Sequence, residues 1–314
     1  MATRTRSRRP APRPPGRGRP RRSTGFPTWA VVAAVVAVGV VVLVVAAGRE
    51  SGTSTGPGAG EALAHVHGLG VNPADGELYA ASHFGLFRVP ADGGAERVGE
   101  AVQDTMGFTV VGPDHFLASG HPDVGDERLR VPGRPPLLGL VESTDGGRSW
   151  EPVSLLGEAD FHSLVAAHGN VYGYDATGGR LMVSPDGREW ETRSRLAMGD
   201  FAVDPADPDR LVAVTEQGLA ESADGGRSWQ PVEGPRVALL AWGAEQGLWA
   251  VSPAGETYRR VDGRWEPRAP LGGQPQALLV TDDELYAAAS SGDATTVYAS
   301  ADGAGSWRVR YSGR

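Results

Sequence analysis

The sequence contains no cysteine, which excludes disulfide bonds, thiolate metal sites, a lipoprotein anchor and a cysteine nucleophile. It contains no lysine either, so all 30 basic residues are arginine, a bias typical of a GC-rich genome rather than of a function. Long amphipathic helices are missing after residue 60, where short apolar segments alternate with turn residues. These absences favour an all-β body with many turns.

Acidic residues are absent from the first 28 positions. Residues 1–28 carry nine Arg, which leaves 21 Arg against all 38 acidic residues in the rest of the chain. A basic tail on an acidic body argues against nucleic acid as a partner of the body.

One long apolar run follows the basic tail. Residues 29–48, WAVVAAVVAVGVVVLVVAAG, carry no charge and are long enough to span the roughly 30 Å of a bilayer core. The alternative, a cleaved signal peptide, has a shorter apolar region of about 7–15 residues. We therefore expect a single-pass cell-membrane protein with residues 1–28 in the cytoplasm. Residues 49–61, rich in Gly, Ser and Thr, predict a flexible linker to an extracytoplasmic body.

An internal repeat organises residues 62–314. Three segments nearly superimpose: Ser143–Trp150 (STDGGRSW), Ser222–Trp229 (SADGGRSW) and Ser300–Trp307 (SADGAGSW). A fourth copy, Ser184–Trp190, is one residue shorter, and degenerate copies surround Asp92 and Asp262. The copies recur about every 40 residues, apart from one insertion at roughly 120–138, and this period predicts a six-bladed β-propeller preceded by one transmembrane helix.

These segments resemble the Asp box, S-x-D-x-G-x-x-W, of BNR-repeat propellers, a superfamily that includes sialidases and sortilin-type receptors. Residues 65–89, together with SGHPD, ESTDGGRSW and ADFH, also resemble a bacterial family catalogued as glycosyl hydrolases. The resemblance implies four strands per blade, with each box between the third and outermost strands, so the box residues are structural. It also implies that the functional loops lie on the opposite face. The F/Y-R-I-P arginine motif of sialidases is absent, so sialidase activity itself is not expected.

All seven histidines lie between residues 65 and 168, in the first three predicted blades. His65 and His67 alternate on the predicted inner strand of blade 1, so we expect both to point to one side. His115 and His168 fall in turns on the box face and are left out. The other five fall on inner strands or functional-face loops and are the candidate ligands of a divalent metal such as zinc: His65, His67, His83, His121 and His162.

Carboxylates approach the same face. Three of them begin the inner strands of blades 2 to 4, at positions that we interpret as equivalent, and a carboxylate pair permits glycoside hydrolysis. The candidates are Asp104, Asp160, Asp175 and Asp200 for catalysis, and Asp123 and Tyr174 for binding. The alternative for each Asp is a turn residue that bonds local backbone N–H groups. The insertion at roughly 120–138 springs from this face and is a candidate lid.

Two functions fit these features. One is a membrane-anchored, glycosyl-hydrolase-like or carbohydrate-binding propeller, with a His/Asp site at one mouth of its channel and a glycan or envelope component as its partner. The other is a non-catalytic scaffold or assembly factor for an envelope or membrane complex. The histidine cluster favours the first function, because a scaffold does not need polar side chains that converge in its channel.

Membrane topology follows from residues 1–48 and is testable. A reporter that is active only outside the cytoplasm, fused after Arg314, should be active because the arginines of residues 1–28 hold the N-terminus inside. The matched control carries the same reporter before Met1 and should be silent. Activity of a cytoplasm-only reporter at the C-terminus would contradict this orientation.

Overall fold

The computed structural model describes residues 63–91 and 93–313. The predicted tail, membrane span and linker, and Asp92 of the first repeat, lie outside the described residues. Within these residues, 24 strands form six four-stranded antiparallel sheets, and the strands of each sheet follow one another in chain order. The prediction of an all-β, six-bladed propeller is therefore confirmed. Over the same part of the chain, no helix is both long and apolar enough to cross a bilayer.

Each blade runs from an inner strand at the channel to an outer strand at the rim. Blade 1 holds β1 (Val66–Val71), β2 (Leu78–Ser82), β3 (Gly85–Val89) and β4 (Glu96–Val98), and blade 2 holds β5 (Asp104–Gly112), β6 (His115–His121), β7 (Leu140–Ser143) and β8 (Glu151–Ser154). Blade 3 holds β9 (Phe161–Ala167), β10 (Asn170–Asp175), β11 (Arg180–Ser184) and β12 (Glu191–Arg195), and blade 4 holds β13 (Met198–Asp204), β14 (Asp207–Thr215), β15 (Gly218–Ser222) and β16 (Gln230–Val232). Blade 5 holds β17 (Leu239–Gly243), β18 (Gly247–Val251), β19 (Thr257–Val261) and β20 (Arg264–Arg268), and blade 6 holds β21 (Gln274–Val280), β22 (Leu285–Ser291), β23 (Ala294–Ser300) and β24 (Arg308–Ser312).

Burial falls from the second strand to the rim of a blade. Strand β2, with the sequence LYAAS, is buried along its whole length because it lies between two other strands and between two blades. Strand β12, with the sequence ETRSR, has no buried residue because one of its edges faces solvent. The apolar runs of the sequence therefore mark second and third strands, and its charged runs mark the rim.

The repeat turns (Ser143–Trp150, Ser184–Trp190, Ser222–Trp229 and Ser300–Trp307) connect the third and fourth strands of their blades. In the first, the Ser143 hydroxyl donates to Asp145 at 2.8 Å and accepts the N–H of Gly147 at 2.8 Å. The Asp145 carboxylate also accepts the backbone N–H of Ser149 at 3.0 Å and its hydroxyl at 2.6 Å. Gly147 has a φ of 88°, and a Cβ there would lie 2.2 Å from a Leu86 methyl group. The Asp145 carboxylate is thus engaged by its own turn, as a structural residue would be.

Tryptophans of the repeat turns connect neighbouring blades. In three turns the indole Nε1–H donates to an oxygen of the preceding blade, at 2.8–3.0 Å: Trp190 to Ser154 Oγ, Trp229 to Ser194 Oγ and Trp307 to the Ala269 carbonyl. The Trp150 ring is buried against blade 1, in a cluster with Leu86 and Val98. Each ring therefore adds apolar burial and, in three cases, a hydrogen bond across a blade boundary.

The seam between blades 6 and 1 closes the ring without exchange of a strand, since each of these sheets is built from consecutive strands. Apolar residues of both blades form one buried cluster that includes Phe87, Val89 and Tyr286. The Arg310 side chain is only 6% exposed; its Nε donates to the Val89 carbonyl at 2.9 Å and its Nη2 to Glu77 at 3.3 Å. This guanidinium also lies over the Tyr286 ring, 5.6 Å from its centroid.

Loss of the Arg310 side chain should weaken the contact between blades 6 and 1. Arg310→Ala leaves a buried carbonyl and a carboxylate without their partner, so we expect the free energy of unfolding to fall by roughly 3–5 kcal/mol. The control is Arg308→Ala on the same strand, where a half-exposed side chain pairs with Glu284 and little change is expected. Urea denaturation followed by tryptophan fluorescence measures both, and equal stability of the two variants would contradict the role of Arg310.

Candidate functional site

A β-bulge interrupts the inner strand of five of the six blades, near its N-terminal end. In blade 1, for example, Val66 pairs with Ser82 and Gly68 with Ala81, so His67 has no partner of its own. The five bulged residues are His67, Met106, His162, Gly199 and Gln276. All five line the central cavity. Bulges re-aim side chains and are common next to active sites, so this ring marks one mouth of the channel.

The central cavity has a volume of about 420 Å³ and is lined by all six inner strands. Apolar side chains such as Phe108, Leu164 and Phe201 form part of its wall. Polar side chains enter near the bulges, where the inner strands begin; they include His67, His162 and Gln276. The cavity therefore combines apolar side chains with a few convergent polar groups, the arrangement expected of a ligand site.

Three side chains from blades 1 and 2 converge at this mouth. His83 Nδ1 lies 2.6 Å from Asp104 Oδ1, and His67 Nε2 lies 4.0 Å from the same oxygen. One ligand atom from each residue lies within 4.8 Å of the other two. His67 Nε2 is buried and has no hydrogen-bond partner among the described residues. The His65 ring stands at the edge of this group, 5.2 Å from the His83 ring between centroids.

The cluster continues through His121 into blade 3. His121 Nδ1 lies 3.3 Å from Asp104 Oδ2, and its Nε2 lies 3.6 Å from Asp160 Oδ2. His162 Nε2 lies 2.9 Å from that same Asp160 oxygen. The Asp160 side chain is 6% exposed, and its Oδ1 has no partner within residues 63–91 and 93–313. We call His67, His83, Asp104, His121, Asp160 and His162 the mouth cluster.

Strand alternation does not explain how the two blade-1 histidines reach this mouth. His65 precedes β1 and has a left-handed backbone with a φ of 52°, and His67 is a bulge residue. The directions of the two side chains are therefore set by the irregular backbone at the start of β1, not by strand alternation. His83 directly follows β2, and His121 is the last residue of β6. These positions at the ends of two second strands bring both rings to Asp104.

Protonation differs across the mouth cluster. Burial opposes ionisation of Asp104, but hydrogen bonds from His121 and His83 outweigh it and hold the pKa of this carboxyl well below its usual range. The hydrogen bond to Asp104 raises the pKa of His121. Burial, together with repulsion from His83, lowers the pKa of His67 to about 4. Near neutral pH the cluster therefore combines an anionic Asp104 with a neutral, unpaired His67.

Asp200 is not equivalent to Asp104 and Asp160, in contrast to the sequence-based interpretation. Asp104 and Asp160 each precede their bulge residue by two positions, whereas Asp200 directly follows the bulge residue Gly199. Its carboxylate lines the wall and accepts the Leu240 N–H at 2.8 Å, the Phe201 N–H at 2.9 Å and the Ser163 hydroxyl at 3.1 Å. Burial raises the pKa of Asp200 to about 6. These contacts join blades 3, 4 and 5.

Three other predicted site residues lie outside the mouth cluster. The buried Tyr174 hydroxyl accepts the Met198 N–H at 3.3 Å and so connects blades 3 and 4. The buried Asp175 carboxylate accepts the Asp160 N–H at 3.1 Å and two N–H groups of Arg180, and it supports Asp160 from behind. Asp123 accepts the Gly125 N–H at 3.0 Å in a turn of the insertion. Asp123 thus fits the alternative of an Asp that bonds a local backbone N–H group, whereas Tyr174 and Asp175 bond N–H groups that lie 24 and 15 residues away in sequence.

The insertion between β6 and β7 folds back on the blades and does not cover the cavity. It contains one turn of 3₁₀ helix, Glu127–Leu129, and it buries Leu129 and Leu138. Arg134 pairs with Glu158 of the next blade. None of the residues that line the central cavity belongs to residues 122–138. The expected lid therefore lies outside the cavity lining in this structure.

Comparison with known proteins gives the fold and no closer relationship. No protein-family model matches the chain, and no curated protein matches it. Solved structures that are similar include a gluconolactonase from Xanthomonas campestris (TM-score 0.56, 14% identity, 72% of this chain and 84% of that one). A nidogen/laminin complex gives a TM-score of 0.56 at 13% identity, over 75% of this chain and 97% of that one. An ancestral GH74 enzyme gives 0.51 at 15% identity, over 79% of this chain but 38% of that one.

The free energy of unfolding should depend on pH through the Asp104–His121 pair. Asp104, with a lowered pKa, stabilises the fold above its unfolded pKa near 3.9, and this contribution is lost as the pH falls through its folded pKa. His121, with a raised pKa, stabilises it below about 6.5, and this contribution is lost as the pH rises through its folded pKa. The stability lost in Asp104→Asn should therefore be largest between about pH 4 and 6.5.

Urea denaturation at a series of pH values, with EDTA present, measures this difference. The control is Asp123→Asn, which removes a carboxylate from the same face that accepts a backbone N–H rather than facing an imidazole. A loss in Asp104→Asn that does not vary with pH would contradict the assigned pair.

Proposed function

We propose that this protein is a membrane-anchored, extracytoplasmic propeller of the Asp-box kind that hydrolyses a C–O bond of a carbohydrate at the mouth cluster. The observation that carries the proposal is the pairing of imidazoles with carboxylates at the mouth of an open channel. In two pairs, His83 with Asp104 and His162 with Asp160, the carboxylate holds one ring nitrogen. The other ring nitrogen has no partner among the described residues and is available to a substrate or water.

His162 is the assigned general base. It lines the cavity, and its Nε2 faces the buried Asp160, so Nδ1 is the nitrogen that accepts a proton from water. Asp160 orients this ring and stabilises the imidazolium that forms, as carboxylates do in other base–carboxylate pairs. His121, whose pKa is raised chiefly by its hydrogen bond to Asp104, lies between Asp104 and Asp160 and faces both carboxylates.

Carbohydrate as the substrate class has two supports. The sequence resembles a family catalogued as glycosyl hydrolases, and the similar folds include a gluconolactonase and a GH74 enzyme. A glycoside and a sugar lactone both present a polar ring, which suits a cavity that combines apolar side chains with polar groups such as His67, His162 and Gln276. Either bond breaks when a base-activated water attacks the ring carbon and a proton reaches the departing oxygen.

Membrane anchoring and the Asp-box assignment rest on the sequence. The apolar residues 29–48 with the arginines of residues 1–28 support the anchor and its orientation. The repeat turns support the family assignment, since their Ser and Asp side chains make the same bonds in three blades. An anchored propeller would meet its glycan or envelope partner at the outer surface of the cell.

A second candidate function, a scaffold that docks a partner, is favoured by exposed apolar side chains beside the mouth. Phe84, which follows His83, is 48% exposed, and Val124 in the insertion is 84% exposed. Such residues are common at protein interfaces. A docking surface does not, however, account for the unpaired His67 and Asp160 atoms inside the mouth.

Hydrolysis should depend on His162. Against a panel of aryl glycosides and sugar lactones, His162→Ala should lower kcat/KM by about 10²–10⁴-fold, the contribution of a general base. The matched control is His115→Ala. His115 also pairs with a carboxylate, Glu142, and its side chain is 39% exposed, close to the 38% of His162. His115 lies at the opposite end of β6 from His121. Its activity should equal that of the wild type.

Two outcomes would contradict the hydrolase. One is wild-type protein that turns over no member of the panel, and the other is an equal loss of activity in His162→Ala and His115→Ala. The first outcome would favour the scaffold.

A further inference from the structure

His67 presents a buried ring nitrogen that the fold itself leaves without a partner. Its Nε2 has no hydrogen bond within the described part of the chain, although polar groups surround it. Buried polar atoms in native proteins are almost always satisfied, and an exception indicates a bound water, ion or ligand. The bulge at His67 turns this nitrogen toward the mouth, where Asp104 Oδ1 lies 4.0 Å away.

The atoms around His67 Nε2 form a donor set for a metal. His67, His83 and Asp104 each offer one ligand atom, and all three atoms lie within 4.8 Å of one another. Zinc binds imidazole nitrogen and carboxylate oxygen at about 2.0–2.2 Å, so the ligand atoms of a tetrahedral ion stand about 3.5 Å apart. The distances from Asp104 Oδ1 to His67 Nε2, 4.0 Å, and to His83 Nδ1, 2.6 Å, lie on either side of this separation.

The supporting contacts around the donor set are those of a metal centre. Asp104 offers Oδ1 to the set, while its Oδ2 faces His121 Nδ1 at 3.3 Å. His121 Nε2 in turn faces Asp160 Oδ2 at 3.6 Å. Metal-binding carboxylates are usually held in this way by a hydrogen bond to the other oxygen, which fixes their orientation. His121 and His162 do not belong to the group whose ligand atoms all lie within 4.8 Å of one another, so neither is counted as a ligand.

We infer that His67, His83 and Asp104 bind one divalent ion of the zinc type, with its remaining position open to the channel. Two nitrogens and one oxygen suit a borderline ion, whereas Mg²⁺ and Ca²⁺ prefer oxygen alone. Three protein ligands with an open position are typical of catalytic rather than structural zinc. The catalytic role of the ion, to polarise the substrate oxygen, rests on the proposed hydrolase function, whereas its binding does not.

Metal binding is measured directly on the full-length protein, prepared without a histidine tag and stripped with a chelator. After dialysis against Zn²⁺, elemental analysis should give one zinc per chain, and titration calorimetry should show no comparable binding of Mg²⁺ or Ca²⁺. His67→Ala and His83→Ala should each bind zinc at least about 100-fold more weakly. His121→Ala should bind it about 10- to 100-fold more weakly, because it only orients Asp104.

Two controls separate this site from other histidines and from the hydrolase proposal. His115→Ala, altered on the opposite face, should bind zinc as the wild type does. His162→Ala should lose hydrolysis and keep its zinc, so failure of catalysis and failure of metal binding are distinguishable. Thermal melts without metal confirm that each variant folds, and the half-exposed His83 provides a variant that does not alter the core.

The inference is overturned if the wild type binds no stoichiometric zinc, or if His67→Ala and His83→Ala fold and bind zinc like the wild type. Equal loss of zinc in His115→Ala would also overturn it, since that result would place the metal elsewhere.

Discussion

Closure of the ring is the constraint on which the rest of this structure depends. The six sheets share no strand, and the chain has no cysteine to cross-link them. The blades meet through side chains and a few backbone hydrogen bonds, such as the one from the Ala269 N–H to the Ala304 carbonyl at 2.9 Å. The mouth cluster draws on three blades: His67 and His83 come from blade 1, Asp104 and His121 from blade 2, and His162 from blade 3. Its distances are therefore distances between blades. The buried seam at Arg310 and the tryptophans of the repeat turns hold neighbouring blades together, and in this way they maintain the distances within the mouth cluster.

The carboxylates on the two faces of the propeller have different hydrogen-bond partners. On one face, carboxylates such as Asp145 and Asp224 are engaged by their own turns. On the other face, the carboxylates of Asp104 and Asp160 face imidazoles, and one Asp160 oxygen is buried without a partner among the described residues. The same residue type thus serves the turn at one end of a blade and faces imidazoles at the other, because local N–H groups saturate the first and not the second.

Much of the fold was predictable, because a segment with Ser, Asp, Gly and Trp at fixed spacing recurs along the sequence. The convergence of His83 and His121 was also predictable, because loop order decides which face a residue reaches. His162 was correctly expected on an inner strand, but its direction depends on a bulge. The bulges were not: no residue pattern distinguishes His67 or Gln276 from ordinary strand residues. For the same reason Asp200, three residues from its expected level, looked equivalent to Asp104. Tyr174 and Asp175 have the residue types of a site, but burial commits them to backbone groups that only the structure reveals.

The bulges explain why a reactive site can exist in so regular a ring. A regular inner strand alternates its side chains between its two faces, so each blade presents few groups to the axis. One extra residue per strand breaks that alternation at a single level, and it places His67, His162 and Gln276 on the channel. Blade 5 has no such bulge in its inner strand, and its contribution to the cavity is apolar. The channel is therefore most apolar at blade 5, whereas the imidazoles and carboxylates of the mouth cluster all lie on the side of blades 1 to 3.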